Sequence, residues 1–378
     1  AGITLKDITI KGSGHVGGFI SRMRNGKVYI NDCDADGLTV EGGGRIGGFI
    51  GTADSKNADS GVHINVNEES AESELSNIAI RQIDTTTSSC NYSGGVIGYY
   101  SGENITSGVS VDEGENNYGS VLIRNVTVSG GDPEQNFIGS VNPAAPVGYA
   151  GGIIGDPEKT KGCLVLGCSV ENISIYGRYA GGITAVTGYT NNSAFSRLRT
   201  VGCTVKGQVD GSGNPQYTVK ATDGAGGIIG FNYDNVSDFD PVYNGETYTV
   251  SFDDCLVKNY TIEQTNKISD VGVGGIIGVE RVNSNMANIK VEGCVIKCNG
   301  SQNNIGMGGI IGNVNSGKTL AGYNIAVCGN KFDNGALHNT ANNIAPYGNL
   351  IGRAYGSNII KLAGFTTKDN TVLKGFGT

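Results

Sequence analysis

Along most of the chain, apolar and polar residues alternate in short runs that close on a turn residue or a Cys, as in Val28-Tyr-Ile-Asn-Asp-Cys33, Leu164-Val-Leu-Gly-Cys168, Val250-Ser-Phe-Asp-Asp-Cys255 and Ile289-Lys-Val-Glu-Gly-Cys294. A period of two predicts strand. A shorter element follows, as in Leu38-Thr-Val40, Ile173-Ser-Ile175 and Tyr260-Thr-Ile262. Between these runs one phrase returns: Gly17-Gly-Phe-Ile, Gly47-Gly-Phe-Ile-Gly, Gly94-Gly-Val-Ile-Gly, Gly151-Gly-Ile-Ile-Gly, Gly181-Gly-Ile-Thr, Gly226-Gly-Ile-Ile-Gly, Gly274-Gly-Ile-Ile-Gly, Gly308-Gly-Ile-Ile-Gly and the degenerate Gly348-Asn-Leu-Ile-Gly. The nine copies lie 30 to 57 residues apart, which reads as a unit of about 30 residues carrying insertions. Three short strands in so short a unit leave no space for a helix. Strands that cannot bury a face alone are satisfied by coiling, each pairing in parallel with its equivalent one turn later. The pattern therefore predicts an all-β parallel β-helix of about nine turns, one domain spanning 1–378, roughly 40 Å long at the strand spacing. Glycine is expected at the corners because it accepts positive φ and close backbone approach, and the Cys at 33, 168, 203, 255, 294 and 328 are expected to stack in one phase.

Composition supports an ordered array. Of 378 residues 63 are Gly, without the every-third-residue period of collagen, and only 7 are Pro. The net charge of −8 argues against a nucleic-acid partner, which would call for a basic patch. No run approaches the roughly 18 apolar residues of a membrane span, so membrane insertion is not expected, and any export signal is expected to have been removed or to lie outside this chain. Nine Cys are too few for a disulfide scaffold, and the odd number leaves at least one unpaired within the chain.

The double-glycine phrase with its following strand and Cys-x-Val step resembles the GLUG motif repeats of bacterial surface proteins, including non-catalytic regions of some immunoglobulin A peptidases and hemagglutinin-like adhesins. The resemblance covers nearly the whole chain. It implies an extracellular module for display or attachment, part of a larger surface protein, and it carries no catalytic residue, cofactor or metal ligand to this sequence.

Several stretches imitate chemical motifs. Gly312-Asn-Val-Asn-Ser-Gly317-Lys318-Thr319 satisfies the phosphate-binding pattern GxxxxGK[ST]. That loop must open a helix, whereas Leu320-Ala-Gly322-Tyr-Asn-Ile-Ala-Val-Cys328 continues the repeat's strand, so a surface loop is expected. Two GxGxxG matches, at Gly12 to Gly17 and Gly42 to Gly47, also lead into strands. Asp32, Asp34 and Asp36 alternate like the start of a calcium loop, but position twelve is Gly43 instead of Glu, which favours a solvated corner. His15, His63 and His338 occupy different phases, which disfavours a triad. The pair Asp253 and Asp254 would suit a polysaccharide-active β-helix only within a larger carboxylate cluster.

The main insertions, over 52–77, 99–120, 185–197 and 231–249, follow the double-glycine strand and so fall along one edge of the rod. Recognition is expected there. The edge carries Tyr99, Tyr100, Tyr118, Tyr189, Phe231, Tyr233, Tyr243 and Tyr248, rings able to stack on sugars or meet a protein. The first functional expectation is a non-enzymatic adhesion or display module at the cell surface, with a host or bacterial surface glycan or protein as partner. The alternative is a filament subunit pairing end to end with itself; a polysaccharide-active enzyme ranks below both.

Overall fold

The computed structural model describes residues 2–54, 60–66, 72–83, 91–102, 121–158, 162–187, 198–233, 242–243, 246–247, 250–265, 271–299, 305–333 and 347–374. Within them the chain is a parallel β-solenoid without helices. Three long sheets of 16, 17 and 9 strands run the length of the coil. The second turn shows the plan: Lys27–Ile30 and Asp34–Asp36 in sheet one, Thr39–Gly42 and Arg45–Gly47 in sheet two, Ile50–Asp54 in sheet three. Five short strand segments on three faces replace the three strands expected, because a turn interrupts sheets one and two in most coils.

The register follows the repeated phrase, and among the described residues it shifts in sheet two between Gly177 and Tyr179 and between Phe332 and Asp333. Ile20, Ile50, Ile97, Ile154, Thr184, Ile229, Ile277, Ile311 and Ile351 pair successively in sheet three, one from each copy. In sheet two, Val40, Ile80, Ile138, Ile175, Val219, Ile262, Ile296, Phe332 and Val372 form an equivalent column. Most of these residues are fully buried in one continuous core. Burying each large aliphatic side chain favours folding by about 1.5–3 kcal/mol, so a slip by one residue, which would turn a column outward, is strongly penalised.

The paired glycines serve close approach, and positive φ has no part in it. None of Gly17, Gly47, Gly94, Gly151, Gly181, Gly226, Gly274 and Gly308 has positive φ. A Cβ on Gly18, Gly48, Gly95, Gly152, Gly182, Gly227 or Gly275 would instead collide with the carbonyl of its counterpart one turn on. Left-handed backbone lies elsewhere, at Asp32, Asn65, Asn125, Gly167, Gly202 and Asp254, where sheet one bends. Asn and Asp tolerate that conformation better than other side-chain-bearing residues.

The Cys do not share one phase. Cys33, Cys168, Cys203 and Cys255 each follow a left-handed residue at the sheet-one bend. Cys294 lies at the next bend, its amide donating to Asn330 Oδ1 at 2.8 Å, and Cys328 pairs with Glu292 within sheet one. Gly312–Thr319 runs from the strand Ile311–Val314 through a turn into the strand Thr319–Cys328, and no helix opens there to hold phosphate.

Candidate functional site

Tyr99, Tyr100 and Phe231 belong to the interior, with exposures of 4%, 0% and 1%, and present no recognition face. Tyr100 points into the main core. Tyr99 and Phe231 belong to a second apolar cluster with Tyr92, Tyr149, Tyr179, Ala185, Val186 and Val279, and half-buried Tyr233 packs edge-on against Phe231 with ring centres 5.6 Å apart. The physical reason is the glycine phrase: it draws sheets two and three together, so residues on either side of it meet. Tyr243 lies in a two-stranded antiparallel ladder, Val242–Tyr243 with Glu246–Thr247. Tyr118, Tyr189 and Tyr248 fall outside the described residues.

The second cluster is a column of rings. Tyr92, Tyr149 and Tyr179 pair in register, each two residues before a double glycine, with ring centres 5.0 and 5.8 Å apart and nearly parallel planes. Above Tyr179 the equivalent residue is Gly224, whose missing side chain lets Phe231 of sheet three continue the stack at 4.6 Å. Offset stacking of this kind adds about 0.5–1.5 kcal/mol per pair beyond burial. Tyr-x-Gly-Gly recurs in the sequence at Tyr92, Tyr149 and Tyr179, and that signal could have located the column.

Arginines stand at both ends. At the far end the Arg281 guanidinium lies 5.1 Å from the Phe231 ring centre. At the near end Arg45 covers Tyr99 at 3.7 Å and approaches Asp54 at 3.8 Å. Arg22 Nε donates to the same Asp54 carboxylate at 2.8 Å, and His15 Nδ1 lies 2.7 Å from Thr52 Oγ1. Burial, with Arg22 and Arg45 nearby, holds His15 below its ordinary pKa. Tyr99 donates its phenol proton to Glu158. Burial, reinforced by Glu158, pushes the Tyr99 phenol far up, so it stays a donor.

This near end, formed by His15, Arg22, Arg45 and Asp54 at the mouth of the ring column, is the strongest candidate site. Arg22 and Arg45 retain side-chain exposures of 35% and 20%, and can meet an anionic or hydroxylated ligand, while the rings behind them stay buried. A nucleophilic role does not fit: the Thr52 hydroxyl beside His15 is fully buried.

Other acidic groups are engaged locally. Asp34 accepts from the Glu74 amide at 2.9 Å, Asp36 accepts from Ser76 Oγ at 3.1 Å and Asn77 Nδ2 at 2.9 Å, and Asp32 occupies the left-handed bend. Among the described residues no group of three His, Cys, Asp or Glu is arranged to hold a metal ion. Asp253 accepts from Asn288 Nδ2 at 3.1 Å, and Asp254 forms a bend. On sheet two, Glu41 lies between Lys11 and Arg81 at 2.7 and 3.2 Å, and Glu263 between Lys220 and Lys297 at 3.6 and 3.3 Å.

Among the described residues Glu280 is enclosed, as are Asp156 and Glu158. Glu280 accepts from Asn232 Nδ2 and from the Val282 amide, both at 3.0 Å, and Thr187 donates to Asn232 Oδ1 at 3.3 Å. Burial pushes its pKa up to about 7, because these donors only partly replace lost water.

No protein-family model, curated protein or solved structure matches this chain.

Proposed function

We propose that this chain is a non-enzymatic module of a bacterial cell-surface protein, of the GLUG-repeat kind, that acts outside the cell in adhesion or as a scaffold displaying its insertions. The observation that carries this reading is the constancy of the coil beside the variability between its turns. Nine phrases keep one register although 30 to 57 residues separate them. Such a framework holds binding loops while leaving their length free. The partner is a surface glycan or protein, met by the insertions and by the Arg22–Arg45 mouth.

The test is binding of the purified chain to immobilised glycans and to intact cells. The expected result is saturable binding that falls at least tenfold in R22A/R45A or when 231–249 is shortened. Equal binding by all three proteins would exclude this surface as the recognition face, and turnover of a polysaccharide would overturn the non-enzymatic reading.

Self-association is the second reading. The last described turn exposes Ile359, Ile360, Phe365 and Val372, and a further turn stacked on it, from more chain or from a second copy, would cover them. In-register stacking of two copies would set Lys6 beside Lys368, the same phase of sheet one, where like charges repel. Light scattering across concentration and negative-stain microscopy separate the readings: rods longer than about 40 Å with rising mass support assembly, and monodisperse short particles support the module.

A further inference from the structure

Three thiols stand directly above one another in the core. The pairings of Ser169 with Thr204 and of Thr204 with Leu256 place Cys168, Cys203 and Cys255 at one position in three successive turns. Each follows a left-handed residue, Gly167, Gly202 or Asp254. Each makes the same contacts: Cys168 Sγ donates to Leu166 O at 3.4 Å and Ile123 O at 3.6 Å, Cys203 to Val201 O and Val165 O at 3.5 Å, and Cys255 to Asp253 O at 3.3 Å and Thr200 O at 3.5 Å. All three are 0–1% exposed, and all are free thiols. Their Cα atoms are separated by the ladder spacing of about 4.8 Å, inside the roughly 4.4–6.8 Å range that a disulfide spans.

We propose that the Cys168–Cys203 pair is an inter-turn disulfide site, closed when the chain folds under oxidising conditions, with Cys255 left as a thiol. Two observations single out this pair. The Cys203 thiol is within side-chain hydrogen-bonding reach of the Cys168 thiol, whereas the hydrogen bond that links Cys255 to Cys203 is to backbone. Glycine precedes both members, whereas the bend before Cys255 carries the Asp254 side chain, so the first pair has the softer backbone for the small approach a bond requires. Cys33 shares the bend but cannot join, since the turns holding Ser73 and Val126 lie between it and Cys168.

The chemistry is ordinary exchange. One thiolate attacks a disulfide oxidant such as oxidised glutathione, forming a mixed disulfide and expelling one glutathione thiolate; the second protein thiolate then attacks the mixed disulfide and expels the other, and the two S–H protons lost by the protein are taken up as the oxidant becomes two thiols. Burial pushes the thiols of the finished coil up and removes them from solvent, so exchange belongs to folding or to local opening.

The test is refolding of the full chain in reduced or in oxidised glutathione buffer, followed by denaturation, alkylation, intact mass and peptide mapping. Nine Cys label after reduced refolding. Two fewer are expected to label after oxidised refolding, with a peptide linking 168 to 203. C203S is expected to lose that link and C255S to keep it. Should C203S fail to fold, the wild-type map with C255S decides. Full labelling after oxidised refolding, or a link between Cys203 and Cys255, would overturn the proposal.

Discussion

Replacing Gly278 by Ala tests the reason for the glycine phrase. A Cβ there would lie 2.5 Å from Gly230 O and 2.8 Å from both Ala225 N and Ala225 O. Ordinary contact begins near 3.4 Å, so backbone in the adjacent turn must retreat by about 0.9 Å. No flexible side chain can absorb the shift. It falls on ladder bonds such as Ile229 N–H to Ile276 O and Ile277 N–H to Ile310 O, both 2.9 Å. Overpacking of this kind costs about 1–3 kcal/mol, and each weakened bond about 1 kcal/mol, which gives a loss of about 3 kcal/mol. Gly14→Ala is the control: no atom lies within 4 Å of its Cβ position and φ is not positive, so a change below about 0.5 kcal/mol is expected. Because a repeat array need not unfold in one step, the assay is urea denaturation followed by circular dichroism, paired with hydrogen exchange at 229 and 276–278. A G278A protein within about 1 kcal/mol of wild type, with unchanged exchange, would refute steric necessity.

The enclosed Glu280 makes a pH prediction. Its folded pKa of about 7 exceeds the ordinary 4.5, so its contribution to stability is greatest below pH 4.5 and is lost as pH rises towards 7. The loss is on the order of 3 kcal/mol, and urea midpoints of E280Q should lack this component; parallel pH profiles would contradict it. Tyr149→Ala removes a central ring of the column and is expected to cost about 3–5 kcal/mol, read as a lowered thermal midpoint; an unchanged midpoint would mean that the column contributes little. Gly312–Thr319 enters a strand, so Mg-ATP is expected to leave the melting temperature unaltered, and a saturable rise abolished by Lys318→Ala would refute that.

The coil was legible because its defining signal is periodic. The nine phrases placed every sheet-three strand, and the alternation ending at Cys33, Cys168 and Cys255 placed sheet one. What failed was reasoning from residue type without knowing the neighbour. The paired glycines serve the close approach expected of them, to a carbonyl one turn away, but not the positive φ, and the left-handed bends fall to Asp32, Asn65, Asn125 and Asp254 as well as to Gly167 and Gly202. Cys294 and Cys328 end similar runs but occupy other positions, because Asn288 and Asn324 take the bend within the longer strands Ser284–Glu292 and Thr319–Cys328. Tyr99 and Phe231 read as edge aromatics because they precede insertions. Their burial follows from Tyr92, Tyr149 and Tyr179, contributed by another sheet and adjacent turns.

Stacking turn upon turn also determines how this chain would answer a pull. Tension between its two ends acts across the ladder bonds one coil at a time, so the load would peel turns off in sequence instead of rupturing the whole at once. Each detached unit of at least 30 residues would pay out slack of about 100 Å at full extension. A rod built this way would lengthen stepwise under load and dissipate work at every step.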